Sequence, residues 1–250
     1  MKPVIQEIKA RSVLTKTGIP GMKYCINPYV GCAHACKYCY ATFMKKFTGH
    51  IEPWGSFVDV KINAQEVLRR ELKKAERGSI ILSSVTDPYQ PVEAEYMITR
   101  KCLEALALFK FPVDILTKSP LVLRDIDIIS KLKYAEVGLT ITTDDDNMRK
   151  IFEPCAPPVH ERIEALKKLH KAGIKTYVFI GPVLPMNPES LAEKIKPYAY
   201  SILIDRINYI NKVKWLYEKH NIEKWLDEKF TNEIISRLRK SFSGRDVEVC

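Results

Sequence analysis

Short runs rich in Ile, Val, Leu and Thr recur along this chain, each separated from the next by a stretch patterned for a helix. They are "SIILSSV" (Ser79–Val85), "VDILTKS" (Val113–Ser119), "EVGLTITT" (Glu136–Thr143), "TYVFIGPV" (Thr176–Val183) and "SILIDRI" (Ser201–Ile207). Several are apolar throughout, as strands covered on both faces are. Between them lie "AQEVLRRELKKA", with Val67, Leu68, Leu72 and Ala75 on one face, then "TRKCLEALALFK", "SPLVLRDIDIISKLK", "PPVHERIEALKKLHKAG" and "NPESLAEKIKPYA". Ala172-Gly173 supplies a helix stop and Asn187-Pro188 a helix start. Strands alternating with helices imply βα units and a parallel sheet. A first strand near "KYCINPYV" brings the count to about six units, too few to close an eight-stranded barrel. The expected fold is therefore α/β, a partial, open (βα)6 TIM-like barrel with short N-terminal and C-terminal helical extensions. The expected divisions are an extension over 1–17, a core over 18–220 with a special loop at 31–40, and a helical extension over 221–250.

In sheets of this kind ligands gather beyond the carboxyl ends of the strands. There the chain places "SSVTDPYQPVE", "TKSP", "TTDDDNMRKIFEP" and "GPVLPMNP", all polar or proline-rich. After the first expected strand comes "NPYVGCAHACKYCYA", with Cys32, Cys36 and Cys39 in a C-x₃-C-x₂-C spacing. Clustered thiolates select zinc, copper(I) or an iron–sulfur cluster. Structural zinc takes four ligands, usually as two separated pairs, and the chain has no second pair, although His34 and Cys25 stand nearby. A [4Fe–4S] cluster held by three cysteines leaves one iron with open positions, which serves a catalyst and not a simple electron carrier. The alternative to an enzyme is a non-catalytic binding module stabilised by a metal or an iron–sulfur cluster.

Composition bounds the setting. Seven cysteines, three of them clustered, point to metal or redox chemistry over a disulfide framework. No apolar run approaches the roughly 20 residues that cross a bilayer, and "MKPVIQEIKARSVLTKTG" lacks the apolar segment of a secretion signal. The expectation is a cytoplasmic protein that does not meet a membrane. The net charge of +10 is unevenly spread: residues 1–75 hold 13 Lys and Arg against 5 Asp and Glu. Such a basic third reads either as a solvated surface or as an entrance for a polyanion such as nucleic acid.

The C-x₃-C-x-aromatic-C pattern, with Tyr38 as the aromatic, resembles the cluster motif of the radical S-adenosylmethionine (SAM) superfamily. "NPYVGCAHACKYCYA", "SSVTDPYQPVE", "TKS" and "EPCAPPVHERIEALKKLHKAGI" together are similar to its spore-photoproduct-lyase-related branch. The resemblance implies a [4Fe–4S] cluster on Cys32, Cys36 and Cys39 whose unique iron chelates SAM. It also implies reductive cleavage of SAM to a 5′-deoxyadenosyl radical, hydrogen abstraction from a substrate, and an external electron donor of flavodoxin or ferredoxin type. Residue by residue, it implies that Asp87 and nearby Ser84 take the place of the Gly-Gly-Glu-Pro segment that holds the SAM amino group. Lys118 would pair with the SAM carboxylate and Tyr38 would lie near the adenine. Thr140 and Thr142 would lie near ribose or methionine, and Glu153 and Arg162 would fix that loop or the cofactor.

The chain departs from the branch in two places. Spore photoproduct lyase has a hydrogen-donating cysteine in the segment that here carries Ser83 and Ser84, and a serine O–H bond is too strong for that role. Thr42 stands where the branch has an arginine after "CYA". Cys155, in the loop after the fourth expected strand, is the substitute donor to consider. Tyr89 and Gln90 either line a substrate pocket or shape the turn.

Overall fold

The computed structural model describes residues 2–250; Met1, the first residue of the expected 1–17 extension, lies outside them. Eleven strands form two sheets. In chain order they are β1 (Val4–Ile8), β2 (Leu14–Lys16), β3 (Tyr24–Ile26), β4 (Tyr29–Val30), β5 (Phe57–Lys61) and β6 (Ile80–Leu82). They continue with β7 (Val113–Thr117), β8 (Ala135–Thr140), β9 (Lys175–Ile180), β10 (Ser201–Ile204) and β11 (Asp246–Val249).

The main sheet has eight strands in the order β2-β3-β6-β7-β8-β9-β10-β11. From β3 onward every neighbouring pair is parallel, and β2 runs antiparallel to β3. The order ends on β2 at one edge and β11 at the other, so the barrel is open, as expected. All six anticipated strands are present. A small sheet, β1-β5-β4, is inserted beside the first βα unit.

Alternation along each strand sorts its residues. Ile80, Leu82, Val113, Ile115, Val137, Leu139, Val178 and Ile180 face the helices and are buried. They pack in one core with Leu103 and Leu106 of the helix Ile98–Phe109 and Leu166 and Leu169 of the helix Val159–Lys171. Each such side chain contributes roughly 1.5–3 kcal/mol by leaving water. Residues of the other parity, among them Asp114, Leu116, Tyr177 and Phe179, line an interior cavity. Glycine makes room inside it: a Cβ on Gly138 would lie 2.2 Å from the Tyr177 ring.

Both expected helical extensions need correction. The N-terminal segment is β1 and β2, and its second strand pairs with β3. The C-terminal segment does contain a helix, Glu228–Ser241, but ends in β11, which adds a strand to the barrel. "SPLVLRDIDIISKLK" is also shorter than one helix, forming a 3-10 turn over Pro120–Asp125 and a single turn over Ile126–Ile129. The anticipated cap is in place, with Asn187 accepting from Ser190 N at 3.0 Å, and Asp145 caps a further helix by accepting from Asn147 N at 2.8 Å.

Candidate functional site

The cysteine loop begins where β4 turns back toward the barrel. Gly31 has φ +86°, and a Cβ there would lie 2.3 Å from the Phe57 carbonyl of β5. Only glycine satisfies both conditions. Ala35 also has positive φ (53°) and packs closely against Gly55, where a Cβ would come within 2.6 Å of the Ala35 Cβ. The small sheet thus forms the back of the loop.

Gln90, fully buried, holds the front. Its Oε1 accepts from Ala33 N at 2.9 Å, and its Nε2 donates to Gly31 O at 3.2 Å and to Thr86 Oγ1 at 2.9 Å. Of the two sequence readings of Gln90, the turn-shaping one fits these contacts. Tyr89 faces away, its hydroxyl donating to Asp125 at 3.1 Å. Asn27 joins two strand ends by accepting from Ser84 N and Val85 N at 3.0 and 3.2 Å.

Cys32, Cys36 and Cys39 are all half-buried on one wall of a cavity of about 570 Å³ that runs through the barrel. That volume lies within the range of small-molecule sites. Burial lifts the Cys32 thiol well above its ordinary value, with Asp87 and the Cys36 and Cys39 sulfurs adding to the rise. Burial likewise pushes the Cys36 thiol up to about 12, with Lys118 opposing and Glu153 and Cys39 reinforcing. The soft donor set suits a group that spans more than one metal atom.

Lys118 follows β7 and reaches the same wall. Burial disfavours its charge, but Cys36 and Glu153 outweigh this and raise its pKa. Its Nζ lies 3.9 Å from Glu153 Oε1 and 5.7 Å from the centre of the Tyr38 ring. Asp87 has its carboxylate fully engaged. Oδ1 accepts from Thr117 Oγ1 at 2.6 Å and Tyr89 N at 2.9 Å; Oδ2 accepts from Lys118 N at 2.8 Å and lies 3.2 Å from His34 Nε2. Burial would raise Asp87, but the neighbouring His34 and the hydrogen bonds from Thr117 and Lys118 N hold it at about 2.

Behind the wall, Glu153 and Arg162 form a fully buried ion pair. Glu153 also accepts from the Tyr38 hydroxyl and from Thr142 Oγ1, the latter at 2.9 Å. Arg162 donates to Thr140 O at 3.1 Å and Pro157 O at 2.9 Å. Burial works against the Glu153 charge, yet Arg162 and Lys118 hold its carboxyl at about 2. The pair anticipated from sequence is therefore present as a brace for the loop.

Of the sequence-picked residues, Cys32, Cys36, Cys39, Tyr38, Ser84, Asp87, Lys118 and Thr140 line the cavity together. Arg162 and Thr142 lie behind it, so they shape the wall and do not reach its interior. Cys155 is exposed and borders a separate outer groove with Ser119, Pro157 and Glu161, away from the barrel interior. That placement puts it outside the cavity that the three clustered cysteines line. The sequence reading passed over the cavity's other carboxylates, Asp114, Glu136, Asp205, Asp246 and Glu248. Their signal was a charged residue at alternate positions of otherwise apolar runs.

A family model described as "Radical SAM superfamily" matches residues 26–196. An uncharacterised protein of Methanocaldococcus jannaschii is 40% identical over 234 residues, covering 93% of this chain and 86% of that protein. A radical SAM Nα-GlyT isomerase of Pseudomonas phage M6 is 27% identical over 161 residues, which is 64% of this chain and 33% of the phage protein. Among solved structures, spore photoproduct lyase complexed with dinucleoside spore photoproduct has a TM-score of 0.70 at 14% identity. It covers 98% of this chain and 82% of that one, a likeness of fold.

Proposed function

The chain belongs to the radical SAM superfamily, and we propose that it is an enzyme in which Cys32, Cys36 and Cys39 hold a [4Fe–4S] cluster whose open iron takes SAM. The observation that carries this reading is the convergence of three half-buried thiols and the Lys118 ammonium on one cavity wall at the carboxyl ends of the strands. When bound, cluster and SAM together supply a reductive cleavage that yields methionine and a 5′-deoxyadenosyl radical able to take a hydrogen atom from substrate. The electron comes from a flavodoxin or ferredoxin type of donor.

The chain's residues divide the remaining work. Lys118 offers a compact positive charge to the SAM carboxylate. Ser84 and Thr140 line the cavity and would face the rest of SAM, and Tyr38 borders it with its hydroxyl tied back to Glu153. Asp87, its oxygens already engaged, sets the Lys118 backbone and His34 in place. Arg162 acts through Glu153 and so positions the loop. For substrate class we propose nucleic acid, supported by the basic first third of the chain. The dinucleoside held by the structural neighbour points the same way.

Anaerobic reconstitution followed by iron and sulfide analysis and electron paramagnetic resonance, with and without SAM, tests the reading. It predicts about four iron and four sulfide per chain, with a spectrum that shifts when SAM is added. Bound zinc, or a cluster whose spectrum ignores SAM, would overturn it.

A further inference from the structure

The rim of the cavity differs in chemistry from its interior. The helical turn Tyr40–Phe47 leaves the third cysteine directly, and one side chain of the helix Ile210–Lys219 reaches it. Lys212 Nζ joins them by donating to Cys39 O at 2.9 Å and Thr42 Oγ1 at 2.6 Å. Tyr40 and Tyr209 both line the cavity mouth while staying about half exposed. Beyond Tyr40 the same turn exposes Phe43 and Phe47, and the neighbouring helix exposes Trp215. Phe47 is 68% exposed, and the Lys46 ammonium lies 4.9 Å above its ring. No Asp or Glu stands between Lys37 and Ile51, whereas Lys37, Lys45 and Lys46 do. Inside the barrel carboxylates outnumber cations: Asp114, Asp205, Asp246 and Glu248 stand against Lys118 and Arg206 on the walls beside Tyr177 and Phe179, while Glu136 pairs with Lys175.

We propose that this rim binds single-stranded nucleic acid, its phosphates held outside by the lysines and its bases stacked on the exposed aromatics, so that one base reaches the interior. Aromatic faces interleaved with lysines are what a single strand requires: every base has a stacking face, and the backbone follows positive charge. A paired duplex hides those faces. The interior carboxylates repel phosphate, which keeps the backbone at the rim and admits only the base. The inference rests on the reading of the cavity as the substrate chamber, and it names the form of the substrate.

The test uses the full chain with its cluster reconstituted and fluorescein-labelled single strands of DNA and of RNA of about 12 nucleotides. A matching duplex is the comparison, and binding is read by fluorescence anisotropy across a salt series without SAM. At least one single strand is expected to bind about tenfold or more tightly than the duplex. Phe47→Ala and Trp215→Ala should each weaken that binding about tenfold. Lys46→Glu should flatten the logarithmic salt slope by about 0.7 or more. Thermal unfolding of each variant should match the parent, since these side chains lie on the surface. Absence of binding, preference for duplex, or folded variants that bind like the parent would each overturn the inference. Formation of 5′-deoxyadenosine without nucleic acid, measured separately on the same variants, should be unchanged. A protein that binds strands but does not cleave SAM would therefore contradict the enzymatic reading and not this one.

Discussion

Glu153 and Arg162 meet at 2.5 Å with both side chains out of contact with solvent, and the Tyr38 hydroxyl, between the second and third cysteines, donates to the same carboxylate. The pair links the cysteine loop to the helix Val159–Lys171. Removing one partner leaves an uncompensated buried charge, which costs about 3–5 kcal/mol. Arg162→Met is expected to lower unfolding free energy by that amount in a denaturant titration. Adding Glu153→Gln to it should recover part of the loss. A cost below about 1 kcal/mol would show that the pair is not a brace.

Asp114 gives a pH dependence of known sign. Burial lifts its carboxyl to about 6, with the Tyr177 hydroxyl pulling down and Glu136 pushing further up. An unfolded carboxyl titrates near pH 4, so the folded protein holds this proton more tightly. Stability therefore falls as pH rises from about 4 to 6, and the penalty is fully present above that window. Asp114→Asn should raise the melting temperature at neutral pH, by the equivalent of about 1–3 kcal/mol. The gain should vanish below about pH 4 in a melting series, and a variant no more stable than the parent at pH 7 would contradict the assignment.

The back of the cysteine loop admits no side chain at Gly31, because φ is +86° and the Phe57 carbonyl stands 2.3 Å from where a Cβ would lie. Gly31→Ala is expected to displace the loop, with iron content after reconstitution falling several-fold and Tm dropping. Full iron loading in this variant would show that the loop tolerates the displacement.

Gln90 and Cys155 separate positioning from proximity in sequence. Gln90→Ala removes three hydrogen bonds that fix residues 31, 33 and 86, a loss of about 2–4 kcal/mol. It should lower cluster retention as measured by absorbance during anaerobic dilution. Cys155→Ser, on the outer groove, should leave cluster content and 5′-deoxyadenosine formation unchanged. Loss of product formation in that variant would return Cys155 to the reaction.

The strands that proved legible in sequence are those with a helix packed on their outer face, because apolar residues such as Ile80, Val113 and Val137 mark that contact. β11, "DVEV", was missed because its inward residues, Asp246 and Glu248, face a polar cavity and its others are only half-buried. β1, "VIQEI", is mostly exposed and pairs only with β5, so no apolar run announces it. At the site, the clustered cysteines and Lys118 of "TKS" line one cavity. Nothing in a one-dimensional pattern says that Arg162 lies behind the wall or that Cys155 faces outward. Those facts depend on which way the loop after β8 folds, and Glu153, held by Arg162 and Tyr38, decides it.

Product analysis after anaerobic incubation of the reconstituted protein with dithionite and SAM is the most direct test of the central claim. The account predicts 5′-deoxyadenosine and methionine in equal amounts, abolished when Cys32, Cys36 and Cys39 are replaced by Ala and sharply reduced by Lys118→Met. An intact cluster that leaves SAM uncleaved would contradict it.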